Sequence, residues 1–236
     1  MRYIAHTLGT TFVLLSFVAL CAATQQSQAR QQDQGRSQDK DSKVVSEKIQ
    51  LFNGEDLEGW TYHLRDENAK MEDVWRVEDG VLICVGKPAG YIRTLDSYTN
   101  FVLTLEWKFD PEKGPGNSGV LLRMVGEDKV WPKSVEAQLQ HQNAGDFWNI
   151  DKFPMKVAED RTQGRHTKKA NETNEKPLGE WNQYRIVVEG GNIQLFVNGL
   201  LQNEATEVEE VAGKICLQSE GAEIHFRNIQ LEPLGG

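Results

Sequence analysis

The sequence predicts an all-β domain in which two antiparallel sheets pack face to face as a jelly-roll sandwich. Short runs of alternating apolar and polar residues recur along most of the chain, as in "NFVLTLEWKFD" at 100–110. A period of two is what a strand shows when one face packs and the other meets water. The runs are punctuated by Asp79-Gly80, Gly190-Gly191 and Asn198-Gly199, pairs that tolerate the backbone of a tight hairpin. No long stretch repeats its apolar residues at helical spacing. Many short strands in one domain of this size make a sandwich or jelly roll.

The chain opens with Met1-Arg2 and the apolar run "TFVLLSFVALCAA". A basic start, a short apolar stretch and small residues at its end define a secretory signal over residues 1–23, too short for a comfortable membrane span. Cys21 also fits a lipoprotein cysteine, which would tether the protein to an outer membrane, although Leu20 is larger than that signal prefers. Residues 24–43 are rich in Gln and hold no aliphatic residue larger than Ala. Such a segment buries too little apolar surface to offset its ordering entropy and reads as a disordered linker. Residues 44–236 are then one sandwich domain of an exported protein, periplasmic, at the cell surface or secreted.

Within that domain "VWRVEDGVLICVG" reads as a hairpin, and "SGVLLRMV", "SVEAQLQH", "GKICLQS" and "EIHFRNIQLEPL" as strands. "NQYRIVVEGGNIQLFVNGLLQ" supplies two strands about Gly190-Gly191 and then an Asn-Gly turn. Residues 141–180 break the rhythm and read as a long loop with a short helix, the kind of segment that carries sites on a β scaffold. The net charge is −9, and the basic residues are dispersed apart from "GRHTKK" at 164–169, which excludes nucleic acid as a partner. Cys84 and Cys216 read most plainly as buried thiols, although export permits a disulfide between them.

The candidate site begins in "KSVEAQLQHQN". Val135, Ala137 and Leu139 fall on one side of this strand, and Ser134, Glu136, Gln138 and Gln140 on the other. One carboxylate and two amides in a row suit vicinal sugar hydroxyls and a single acid or base; a polar strand facing solvent is the plain alternative. Ordinary glycosidases need two carboxylates. Asn117 and Arg123 flank "SGVLL" at even spacing and so share a face. Arg suits an oxyanion; its plain alternative is an ion pair with Glu136 or Glu106, and that of Asn117 is turn chemistry after Pro115-Gly116. Gln218 and Glu220 share a face opposite Ile215 and Leu217. His141 and His166 bracket the irregular segment, where a surface role is the plain reading. Trp131 and Trp148 fall in loops where they could stack on sugar rings, whereas Trp60, Trp75, Trp107 and Trp181 belong to the core pattern. The chain has no metal motif, nucleophile elbow or P-loop. Its sequence requires no cofactor, though Glu136, His141, Asp146 and His166 are a set from which a divalent-cation site could be built.

Six stretches, in order over nearly all of 50–234, resemble the 3-keto-disaccharide hydrolase family: "LFNGEDLEGW", "GYIRTLDSYTNFVLTLEWKF", "GNSGVLLR", "VEAQLQ", "KPLGEWNQYRIVVEGGNIQLFVNG" and "ICLQSEGAEIHFRNIQLEPL". The resemblance implies a concanavalin A-like sandwich with one concave sheet. It also implies a carbohydrate substrate already oxidised to a ketone at C3, a 3-keto-glycoside or 3-keto-disaccharide. Cleavage would then run by proton abstraction at C2, elimination and hydration. Glu136 would be the base and Arg123 or a cation the oxyanion partner, with Glu220 as a further catalytic residue. Asn117, Gln138, Gln140, Gln218, His141, His166 and Trp148 would meet the substrate. Many members carry "LQDHG" where this chain has "LQSEG", so Glu220 stands in place of a His. A non-catalytic carbohydrate-binding module, or a surface interaction protein with a vestigial cleft, would use the same fold and face.

Overall fold

A computed structural model describes residues 47–235. The expected signal peptide with Cys21 and the Gln-rich linker lie outside the described residues. In chain order the elements are β1 (Ile49–Gln50), β2 (Trp60–Leu64), one helical turn α1 (Met71–Val74), β3 (Trp75–Glu78), β4 (Val81–Cys84) and β5 (Gly90–Thr94). Next come β6 (Phe101–Phe109), β7 (Gly119–Val125), β8 (Lys133–Gln138), β9 (Phe147–Ile150), β10 (Thr162–Gln163) and β11 (His166–Thr167). The chain closes with β12 (Asn182–Glu189), β13 (Asn192–Val197), β14 (Leu200–Ala205), β15 (Lys214–Ser219) and β16 (Ile224–Pro233).

These strands form two antiparallel sheets. One has the order β14-β13-β12-β6-β16-β4-β3, with β1 also pairing β16; the other has the order β10-β11-β9-β8-β7-β15-β5-β2. Alternation decides which side chains enter the space between them. Phe101, Leu103, Leu105, Trp107 and Phe109 point inward from β6, and Val135 and Ala137 from β8, into one large core. The Asp79-Gly80 and Asn198-Gly199 turns have positive φ at both positions (50° and 76°; 46° and 82°), the geometry that matches the twist of a two-residue hairpin.

Two expectations change. Residues 141–180 hold no α-helix; they contain β9, β10 and β11 and a single 3₁₀ turn at Glu159–Arg161. Strands of two to four residues are too short for alternation to register. Trp181 is half-buried outside the core, with Arg227 4.1 Å and Lys108 4.9 Å from its ring centroid. Cys84 and Cys216 are buried free thiols on different sheets.

Candidate functional site

The second sheet turns one face to the core. On its other face a small cavity of about 170 Å³ opens, lined by Asn117, Trp131, Glu136, Gln138, Gln140, Trp148, Arg165 and Glu220. Strand register explains the convergence. Glu136 pairs across to Trp148 on β9 and to Leu121 on β7, and Gln138 pairs with Gly119. Leu217 on β15 pairs with Val120, which brings Gln218 alongside Gly119. Glu220 follows β15, and Arg165 sits in the β10–β11 turn with its guanidinium 5.0 Å from the Trp148 ring.

Gly119 is the floor. A β-carbon there would lie 2.3 Å from Gln218 Oε1, 2.6 Å from Glu136 Oε1 and 2.9 Å from Glu136 Cγ. Only a residue without a side chain lets these two long side chains meet over the strand.

Glu136 is 5% exposed. Burial, reinforced by the charge of Glu220, pushes its carboxyl from 4.5 up to about 8, against the opposing pull of Arg165 and of the Gln218 amide. Gln218 is near enough to act on that carboxyl, yet neither of its buried amide atoms makes a hydrogen bond of full geometry. The Glu220 carboxyl is also raised by burial, opposed by Arg165 and Arg65. A carboxyl held to about 8, beside a second, raised carboxyl and a guanidinium, can exchange protons near neutral pH.

The remaining side chains take different parts. Gln138 Oε1 accepts from the Leu139 and Gln140 amides at 2.9 and 2.8 Å. That bond ends β8 two residues before the sequence pattern does and leaves the Gln138 NH₂ group for a ligand. Gln140, beyond the strand, accepts from Asn143 Nδ2. Asn117 presents a buried Oδ1 without a hydrogen-bond donor.

Arg123 is a correction. A bulge between Leu122 and Val125 breaks the parity of β7, and Arg123 itself has φ 51°. Its side chain therefore leaves the face it would share with Asn117. The fully buried guanidinium donates to the carbonyls of Gly190 (2.6 Å), Glu209 (2.7 Å), Thr99 and Val208 (both 3.4 Å). It ties loops together and does not line the cavity. His141 and His166 do not line it either. His141 faces Glu175 at 3.6 Å. His166 holds Asp146 at 2.7 Å and stacks on Trp148 at 4.4 Å, behind the cavity wall. The quartet of Glu136, His141, Asp146 and His166 is thus not assembled. Among the described residues Asp110, Glu223 and His225 bring ligating atoms within 4.8 Å of one another, away from the cavity. There Glu223 is already paired with His225 and Arg76.

Arg165 is the cavity residue that pattern reasoning missed. Its only signal was membership of the one basic cluster, "GRHTKK". A larger cavity of about 670 Å³ lies against Phe147, Asn149 and Thr167 and shares only Arg165 with the site. It holds no carboxyl displaced toward neutrality, so its size does not make it the chemical centre.

The chain is a two-sheet antiparallel jelly-roll sandwich with a polar, tryptophan-walled cavity on one sheet face. The chain belongs to the 3-keto-alpha-glucoside-1,2-lyase-like domain family, whose model matches residues 47–232. It is 27% identical over 161 residues to a 3-keto-disaccharide hydrolase of Bacteroides thetaiotaomicron, covering 61% of this chain and 53% of that protein. The chain therefore spans about half the length of that curated relative. A solved candidate glycosyl hydrolase of Parabacteroides distasonis shares 27% identity with a TM-score of 0.58, covering 80% of this chain and 100% of its own. A carbohydrate-binding module of Bacillus subtilis shares the fold at 15% identity and a TM-score of 0.55, covering 74% and 95%.

Proposed function

We propose that this exported protein cleaves 3-keto-glycosides, with Glu136 as the base. The observation that carries the reading is a desolvated carboxyl, raised to about 8, in a one-ring cavity that also holds Glu220 and Arg165. A ketone at C3 acidifies the hydrogen on C2. Glu136 takes that proton, and the electron pair of the C2–H bond becomes the enolate. Arg165, which takes the part first expected of Arg123, stabilises the developing oxyanion. Collapse of the enolate breaks the C1–O bond, and the leaving oxygen takes up the proton that Glu136 removed from C2, while the nearby Glu220 charge keeps the Glu136 carboxyl strongly basic. Water then adds at C1 of the unsaturated ketone. Asn117, Gln138 and Gln140 supply hydrogen bonds to hydroxyls, and Trp131 and Trp148 supply apolar ring faces. At about 170 Å³ the cavity is small beside the roughly 300–1,000 Å³ of drug-sized pockets, which favours one sugar ring over two.

The same amides and tryptophans also favour a second reading, sugar binding without turnover. One experiment separates them. Purified protein is mixed with a 3-keto-disaccharide and with its unoxidised parent, and released reducing sugar is measured. The enzymatic reading expects turnover of the oxidised compound alone, reduced about 10²- to 10⁴-fold in Glu136→Gln. Wild-type turnover matched within a few-fold by the variant removes Glu136 from the role of base; no turnover with retained affinity leaves the binding reading.

A further inference from the structure

The connection between β7 and β8, residues 126–132, does not turn back tightly. It reaches over β15 to β5, two strands from β7. There Asp128 accepts three hydrogen bonds, from Tyr91 Oη, Arg93 Nε and Arg93 Nη2, each 2.8 Å long. Arg93 and Tyr91 hold the Asp128 carboxyl below its ordinary pKa, so it remains the charged half of the pair. Beneath this strap Tyr91, Leu121, Met124, Ile150 and Cys216 form a buried cluster on the sheet's site-bearing face, with Trp131 packed against it. A second tie, Lys129 to Asp151 at 2.8 Å, joins two half-exposed side chains and contributes little. Trp131, three residues after Asp128, is a wall of the cavity.

We propose that Asp128 is a positioning residue: its clamp to Tyr91 and Arg93 holds Trp131 in place and thereby keeps bulk water from Glu136. This rests on the reading of Glu136 as the base. The charged groups that act on Glu136 are Glu220, from the loop after β15, and Arg165, from the β10–β11 turn; the polar neighbour is Gln218 on β15. Asp128 is not among them. An effect of Asp128 on Glu136 must therefore pass through the wall and not through charge.

The test uses Asp128→Asn, which keeps shape but gives up the ionic pair, and Tyr91→Phe, which removes one hydroxyl and keeps the ring packed. Protein carrying 5-fluorotryptophan gives one ¹⁹F signal for each of six tryptophans, with Trp131 assigned through Trp131→Phe. Side-chain ¹³C labelling of Glu follows the Glu136 carboxyl, assigned through Glu136→Gln. Both clamp variants should move the Trp131 signal toward that of a solvated indole. The Glu136 midpoint should fall from about 8 toward 4.5, by about one pH unit or more in Asp128→Asn. In turnover the acid limb of kcat/KM should fall in step, which general loss of stability would not produce. A Trp131 signal that stays put in a folded variant overturns the assignment. So does a Glu136 midpoint that stays put once Trp131 has moved. Because the titration needs no substrate, a wild type without turnover sinks the enzymatic reading while the clamp is still decided.

Discussion

Replacing Glu136 by Gln should make the protein more stable at alkaline pH and leave the difference smallest in acid. An unfolded glutamate releases its proton near 4.5, whereas Glu136 in the folded protein holds its proton to about 8. Between those values the native state binds a proton that the unfolded state has released. Stability of the wild type therefore falls as pH rises through this window, and the full penalty is present above it. The gap from 4.5 to about 8, at about 1.36 kcal/mol for each pH unit, sets a ceiling of about 5 kcal/mol. Even half of that ceiling, about 2–3 kcal/mol, corresponds to roughly 5–10 °C in Tm for a domain of this size. Gln has no proton to lose. Thermal melts of both proteins at pH 4, 6 and 9 should show the variant gaining on the wild type at each step. A Tm difference that is flat from pH 4 to 9 would refute the displacement of Glu136 and, with it, the account of its burial.

Arg165→Gln removes the cation that pulls the Glu136 carboxyl down, so the acid limb of any pH–rate profile should move above its wild-type position; a downward move contradicts the electrostatics. Gly119→Ala drives a methyl group against Glu136 Oε1 and Cγ and Gln218 Oε1. It should cost about 1–3 kcal/mol of stability and most of the sugar affinity, measured by denaturant melts and calorimetry. Arg123→Met leaves four backbone carbonyls without their donor. A loss of about 3–5 kcal/mol is expected, with ligand affinity of the folded fraction unchanged; a selective loss of affinity would return Arg123 to the site.

Much of this was legible in the chain because alternation is a local signal. Val135, Ala137 and Leu139 went to the core and Glu136, Gln138 and Gln140 to the cavity, as parity required. Glu220 and Asn117 reached the same cavity from just beyond the ends of β15 and β7. Parity failed at Arg123, where a bulge inserts a residue with positive φ. "SGVLLRMV" is apolar on both sides, so nothing in it reports that slip. Arg165 was illegible for a different reason. Its place depends on β9 and β11 pairing across Trp148 and His166, and two-residue strands leave no period to read.

The buried guanidinium of Arg123 has a consequence for motion. Its four acceptors belong to three separate connections: β5–β6 at Thr99, β12–β13 at Gly190, and β14–β15 at Val208 and Glu209. None of these can lift from the body without stripping bonds from the same cation, so the cost of opening one is shared by all. The amides they protect, Tyr98 and Gly213 bonded to each other's carbonyls, Gly190 to Asn100 Oδ1 and Val208 to Gly191 O, should exchange hydrogen with solvent as one cooperative unit. A single side chain thus turns three surface loops into one mechanical part, and that end of the sandwich breathes together.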